Sequence, residues 1–127
     1  MSSFTISAIH SFIVIDDYID IKTLQLLKAS IDNIQITIIS DNLAKNNLNM
    51  NYIKDSGLNI VFIRNDKIFH DRYIIIDYKE TSEEIYHCGS SSKDTGSRVT
   101  AINRVYDGYV YYKPIEATLK NSKYIFK

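Results

Sequence analysis

Short apolar runs that alternate with segments of helical spacing constrain the fold of this 127-residue chain more than any other feature. Short apolar runs bounded by polar residues are typical of buried strands, whereas apolar residues three or four apart are typical of helices. In chain order the first half predicts a strand at 11–15, a helix at 21–31, a strand at 34–39, a helix at 41–54 and a strand at 58–63. This β-α-β-α-β order predicts parallel strands joined by right-handed crossovers, and therefore an α/β fold.

The second half of the sequence predicts mainly strands. These are expected at 69–77, 84–88, 99–105 and 108–112, with a polar hairpin loop at 78–83 and a closing helix at 115–123 that has Pro114 in its first turn. Isoleucine and tyrosine are abundant, and such residues suit half-buried pleated surfaces. The length fits a single domain over residues 1–127.

Composition excludes several classes of protein. The formal net charge is zero, so any site for a polyanion must be a local patch. Cys88 is the single cysteine, which rules out an intrachain disulfide and suits a reducing compartment. The start of the chain lacks the features of a signal peptide, and no run approaches the roughly 18 apolar residues of a membrane helix. These features predict a cytoplasmic protein with no membrane partner.

The candidate site lies in the predicted strand 69–77 and just after the strand that follows it. His70 and Arg72 have the same strand parity, so their side chains share a face. A Gly-Ser pair, Gly89 and Ser90, follows downstream and supplies hydroxyl and backbone donors. An imidazole beside a fixed cation, with such donors nearby, can bind a phosphate and attack its phosphorus atom.

The spacing His-x-Arg-x4-Asp, formed by His70, Arg72 and Asp77 and followed by Gly-Ser, resembles the motif of the phospholipase D superfamily, His-x-Lys-x4-Asp followed by Gly-Ser-x-Asn. Together with Asp-Tyr-Ile-Asp at 17–20 and Gly-Ser-Ser-Ser-Lys-Asp at 89–94, it looks like a bacterial subgroup whose members carry one such domain. The resemblance covers residues 11–105 and implies a mixed-sheet α/β sandwich of the phospholipase D type. The chain is also compatible with being one domain of a longer protein.

The resemblance implies cleavage of a phosphodiester without a metal or other cofactor. One histidine forms a phosphohistidine and a second acts as acid and base. The chain carries a single motif, so the second His70 is expected from an identical subunit in a symmetric homodimer. Nucleic acid is the expected substrate.

The resemblance and the side-chain chemistry together suggest roles for single residues. His70, Arg72 and Asp77 form the catalytic motif, in which Asp77 is expected to brace the end of the strand. The expected phosphate ligands are Arg72, Ser90, Ser92 and Lys93, and Asp94 is expected to orient an imidazole. Two residues depart from the family pattern, since Arg72 stands for lysine and Ser92 for asparagine. Arginine and lysine are not interchangeable, so the departures affect turnover more than binding.

Alternative interpretations remain open for the whole chain. It is compatible with a phosphodiesterase, with a degenerate module that binds phosphate or nucleic acid and dimerises without turnover, or with a purely structural or protein-interaction domain. His10 and His87 are expected to be structural, with no metal site. Three tyrosines are compatible with stacking on bases or with ordinary packing, namely Tyr109, Tyr111 and Tyr112.

Overall fold

The computed structural model describes residues 9–17, 19, 34–41, 57, 59–90 and 102–123. Within these ranges the chain forms one mixed sheet of six strands followed by a 3-10 helix and an α-helix. The elements are β1 (Phe12–Ile15), β2 (Gln35–Ile39), β3 (Asn59–Ile63), β4 (Asp71–Ile76), β5 (Glu84–Ser90), β6 (Asn103–Val105), the 3-10 helix (Gly108–Tyr111) and α1 (Tyr112–Leu119). The α/β class is therefore confirmed. The predicted helices at 21–31 and 41–54 lie outside the described residues.

The sheet has the strand order β3-β2-β1-β4-β5-β6. The first three strands are parallel, as their alternation with helical patterns predicted. Strand β4 then runs antiparallel to β1 and begins an antiparallel half that continues through β5 and β6. We call the end at which β1, β2 and β3 finish the carboxyl end of the sheet. The other end, at which these strands begin, is the amino end.

Apolar side chains are buried on both faces of the central strands. On one face Ile13, Ile15, Ile39 and Ile75 form a continuous core with Ile115 of α1. On the other face Phe12, Val14, Ile36, Ile38 and Phe62 are also buried. Continuous apolar runs of this kind are what parallel strands buried on both faces require.

The prediction of a strand at 108–112 is wrong. This segment forms the 3-10 helix and the first residue of α1, because tyrosine-rich composition favours a strand locally while packing decides the outcome. The Tyr111 ring lies 5.1 Å from that of Tyr73, and the Tyr112 hydroxyl donates to a Glu83 carboxylate oxygen at 2.7 Å. Gly108 is buried against Ile85, where a Cβ atom would lie 2.8 Å from the Ile85 Cδ1 atom.

The closing helix exists but is displaced from its predicted bounds. It spans Tyr112–Leu119 instead of 115–123, and Pro114 lies in its first turn as predicted. The chain leaves the helix at Lys120 and returns to the sheet, where Lys123 makes an isolated antiparallel bridge with Ile63. Strand β6 is likewise shorter than the predicted 99–105, whose first three residues lie outside the described part of the chain.

Candidate phosphate site at the carboxyl end of the sheet

The topology collects polar residues at the carboxyl end of the sheet. Asp16 and Asp17 follow β1, Ser40 and Asp41 follow β2, and Arg64 and Asn65 follow β3. Because β4 is antiparallel to β1, its first residues lie at this same end. Ligands of open α/β sheets bind outside the carboxyl ends of the parallel strands, so the candidate residues of β4 stand where a ligand site is expected.

Strand pairing brings the two halves of the sequence motif together. His70 is exposed and immediately precedes β4, and Arg72 is half-buried within that strand. Asp71, which lies between them, pairs directly with Ser90 of β5. The His-x-Arg and Gly-Ser segments therefore meet at one end of one strand pair, although they are separated by the whole β4–β5 hairpin.

A change of register in this strand pair shapes the site. Between the pairs Asp71–Ser90 and Tyr73–His87, Arg72 alone faces both Cys88 and Gly89 of β5. Gly89 has a φ of 91°, a conformation that glycine adopts without steric cost. Such bulges are common beside functional sites, where they redirect a side chain or end a ladder.

The Arg72 side chain contributes to holding the irregular pair together. Its Nη2 atom donates a hydrogen bond to the Cys88 carbonyl oxygen at 2.7 Å. The nearby Cys88 thiol is buried, and burial raises its pKa. Two charges also act on this pKa: the Arg72 charge lowers it and the Asp16 charge raises it. Burial, the largest of these effects, therefore favours the protonated and less reactive form of the thiol, while Arg72 and Asp16 act on it in opposite directions.

An imidazole–carboxylate pair occupies the face of the sheet opposite Arg72. The His87 Nε2 atom lies 2.9 Å from the Asp71 Oδ2 atom, and the two side chains are 33% and 43% exposed. The His87 ring packs 5.1 Å from the Tyr73 ring. Burial and a hydrogen bond with Tyr111 raise the pKa of Tyr73, so its hydroxyl stays protonated.

A buried amide fixes the turn that leads into His70. The Asn65 side chain is buried and accepts a hydrogen bond from the Phe69 backbone N–H at 2.9 Å, while its Nδ2 atom donates to the Phe69 carbonyl at 2.8 Å. The same Nδ2 atom donates to Asp17 Oδ1 at 3.1 Å, which in turn accepts the Asp41 backbone N–H at 3.0 Å. The ends of β1, β2 and β3 are therefore tied to the residue that precedes His70.

Asp77 lies at the other end of β4, separated from His70 by the length of the strand, about 20 Å. Its Oδ1 atom accepts the backbone N–H groups of His10 at 2.6 Å and Ser11 at 3.2 Å, and its Oδ2 atom accepts the Ser82 hydroxyl at 2.7 Å. The carboxylate is thus engaged with backbone at the amino end, as expected for a brace, and does not share a site with His70.

Three of the predicted site residues fall outside the described part of the chain, namely Ser92, Lys93 and Asp94. Of the described candidates, His70, Arg72 and Ser90 are brought to one end of the sheet. The three candidate stacking tyrosines differ in their surroundings. Tyr111 packs against Tyr73, and Tyr112 packs against Tyr78. Tyr109 is 70% exposed.

Three features were not predicted from the sequence: the Asp71–His87 pair, the turn held by Asn65, and the contacts of His10 with Asp77 and Glu80. The first depends on cross-strand register after a bulge, which spacing along the chain does not reveal. Asn65 follows a predicted strand that ends at Ile63, and polar residues just past parallel strands were the available signal.

Comparison of the chain with protein-family models, with curated proteins and with solved structures gave no significant match. Among the described residues, no helix has the length and apolar character needed to cross a membrane.

Proposed function

We propose that the carboxyl end of the sheet is a phosphodiesterase site that acts on nucleic acid and is completed in a homodimer. The observation that carries the proposal is the pairing of Asp71 with Ser90, which puts an exposed histidine, an arginine and a Gly-Ser segment at one end of one strand pair. The resemblance of these segments to the phospholipase D motif supplies the chemistry. On this proposal the described sheet belongs to a phospholipase D-like sandwich.

In the proposed reaction a nitrogen of His70 attacks phosphorus, and the bond from phosphorus to the leaving oxygen breaks. The partner subunit's His70, in its protonated form, gives its proton to that oxygen. The now neutral ring then takes a proton from water, which attacks the phosphohistidine and releases the product phosphate and the free His70. Arg72 and Ser90, with Ser92 and Lys93, neutralise and orient the phosphoryl oxygens.

The second imidazole has to come from another subunit because His87 is unsuited to the role. His70 lies two residues before Arg72, just ahead of β4, whereas His87 is bonded to Asp71 on the face of the sheet opposite Arg72. A symmetric dimer that juxtaposes two carboxyl ends would place identical rings on either side of one phosphate. Asp77 braces β4 at the amino end and has no direct contact with substrate in this proposal.

One observation favours a second candidate function, a phosphate-binding and dimerisation module without turnover. The Arg72 guanidinium already donates to the Cys88 carbonyl, so part of its donor capacity holds the bulge. Arginine is also a strong binder of phosphate that does not reproduce the chemistry of lysine. In this version the site keeps its affinity for nucleic acid but makes no phosphohistidine.

The decisive experiment measures cleavage of DNA, RNA and bis(p-nitrophenyl) phosphate by the full chain, with acid quenching and mass spectrometry to detect phosphohistidine. We expect activity that His70→Ala abolishes and that Arg104→Ala, a change of an exposed arginine on β6, leaves intact. A protein that is monomeric by analytical ultracentrifugation, or that cleaves none of these substrates between pH 5 and 8, would exclude the enzymatic proposal.

Binding of labelled single- and double-stranded oligonucleotides at several salt concentrations separates the two candidates. Both predict binding that weakens as salt rises, because phosphate contacts release counterions. Arg72→Ala should weaken binding and flatten the salt dependence, while Arg104→Ala should change neither. Binding without cleavage would leave the non-catalytic module as the function. Unchanged binding by Arg72→Ala would exclude both candidates.

A further inference from the structure

A second group of polar residues meets at the amino end of the sheet. His10 precedes β1, Asp77 follows β4, and Glu80 lies in the β4–β5 loop. One ligand atom from each, an imidazole nitrogen or a carboxylate oxygen, lies within 4.8 Å of the other two. The three residues come from segments up to 70 positions apart, so the fold alone brings them together.

The central member of this group is held rigidly. Asp77 is 3% exposed and has a φ of 53°, and its carboxylate is fixed by the Ser82 hydroxyl and two backbone N–H groups. A carboxylate offers about four lone-pair sites, and Oδ1 accepts two hydrogen bonds whereas Oδ2 accepts one, so Oδ2 keeps acceptor capacity for a further ligand. A ligand fixed by its surroundings in this way is what well-ordered metal sites use.

The other two members are exposed and already adjacent. The His10 Nδ1 atom lies 2.7 Å from the Glu80 Oε1 atom. A zinc ion holds nitrogen and oxygen ligands at about 2.0–2.2 Å, so two of its ligand atoms stand roughly 3 Å apart. Small rotations of two exposed side chains would therefore admit an ion between them and the fixed Asp77 carboxylate.

The local charge also favours a cation. Two carboxylates and one imidazole converge here, and the neighbouring Lys79 is directed elsewhere, with its Nζ atom 2.7 Å from Glu116 Oε1. One nitrogen and two oxygen ligands form a set that suits first-row divalent ions, among which zinc binds more tightly than manganese or iron.

We propose that His10, Asp77 and Glu80 form a binding site for a first-row divalent metal ion, with zinc as its expected occupant and water completing the coordination. The ion links the segment before β1 to the β4–β5 loop and stabilises the amino end of the sheet. The site is structural and lies at the end of the sheet remote from His70. This proposal is therefore independent of the proposed phosphodiesterase and is tested separately.

The test is zinc titration of tag-free, chelator-treated full chain by calorimetry, together with thermal unfolding and the visible absorption of bound cobalt. We expect one equivalent of zinc to bind and to raise the melting temperature. His10→Ala and Glu80→Gln should each weaken zinc binding at least about ten-fold, and both change exposed side chains. Asp77 is left unchanged in this experiment because its carboxylate also holds the fold together.

His87→Asn is the matched control, since it removes the imidazole of the other histidine–carboxylate pair described above. It should bind zinc as the unaltered chain does. Zinc binding that survives in the combined His10→Ala and Glu80→Gln variant would place the ion elsewhere and overturn the proposal. Absence of binding at millimolar zinc by the unaltered chain would overturn it as well.

Discussion

The two ends of the sheet use polar side chains in different ways, and β4 connects them. At the amino end Asp77 is buried, and both oxygens of its carboxylate accept hydrogen bonds from fixed donors. At the carboxyl end His70 is exposed, and the neighbouring Asp71 is 43% exposed. A motif that is continuous in the sequence is therefore divided in space between a structural end and a chemically accessible end.

This division separates two kinds of constraint on the motif. Asp77, which closes the motif, accepts hydrogen bonds from the backbone that precedes β1, so its substitution should lower the stability of the fold. His70, which opens the motif, is exposed and does not support the core in this way, so its substitution should lower any activity rather than the stability. Substitutions at the two ends can therefore be ranked by their effects on the free energy of unfolding.

The largest effect on stability is expected from Asp77→Ala at the amino end. The change removes a buried acceptor and leaves the backbone N–H groups of His10 and Ser11 and the Ser82 hydroxyl without it. The three donors are only partly buried, so each should cost no more than the low end of the about 1–3 kcal/mol of a buried unpaired group, and we expect a total loss of about 3 kcal/mol. Urea unfolding measures it, with Asp107→Ala as the control because the Asp107 side chain is exposed and makes no capping bond. A loss similar to that of the control would contradict the role of Asp77 as a brace.

A somewhat smaller loss, about 2 kcal/mol, is expected from Asn65→Ala at the carboxyl end. Phe69 would lose the partners of its backbone N–H and C=O groups, and the turn that leads into His70 would loosen. Any phosphodiesterase activity should then fall further than the folded fraction does. The exposed Asn103 provides the control through Asn103→Ala, which should change neither the urea midpoint nor the rate. A normal rate in a destabilised Asn65→Ala protein would show that the turn does not position His70.

The same division explains which parts of the structure could be predicted from the sequence. Strands β1 to β5 lie within two residues of their predicted bounds, because each depends on a local apolar run. The strand prediction at 108–112 failed because the packing of Tyr111 and Tyr112 overrode local propensity. Likewise, His-x-Arg and Gly-Ser could be recognised as segments, but their meeting depends on the register of the hairpin.

The contacts of His10 with distant segments could not be predicted from the sequence. His10 and Glu80 are 70 positions apart and meet only because β4 pairs with β1. The expectation that no metal site exists rested on spacing along the chain, and spacing carries no information about such a meeting. The cluster at the amino end was therefore accessible only from the structure.

Substitution of His87 in the Asp71–His87 pair tests whether the chemistry proposed for the carboxyl end needs a second subunit. Ion pairs between partly exposed side chains are worth about 1 kcal/mol or less, so His87→Ala should lower stability by no more than that. It should also retain most of any phosphodiesterase activity, whereas His70→Ala should lose it. A loss as complete as that of His70→Ala would make His87 the second imidazole and remove the need for the partner subunit's His70.

The smallest expected effect is on the reactivity of Cys88, and it reports on the charges around Arg72. Burial raises the pKa of this thiol, so at pH 8 the folded chain should react with iodoacetamide more slowly than the urea-unfolded chain. The Arg72 charge lowers the pKa and the Asp16 charge raises it. Arg72→Gln should therefore shift the pH profile of alkylation upward, and Asp16→Asn should shift it downward. Only the thiolate reacts with iodoacetamide, so the pH profile follows the pKa of the thiol. Two shifts of opposite sign would locate both charges beside Cys88. Two shifts of the same sign would mean that the substitutions act by changing access to the thiol. Shifts of the same sign would therefore mean that the Arg72 charge does not act on Cys88, and they would weaken the proposal that this charge is available to a phosphate at this end of the sheet.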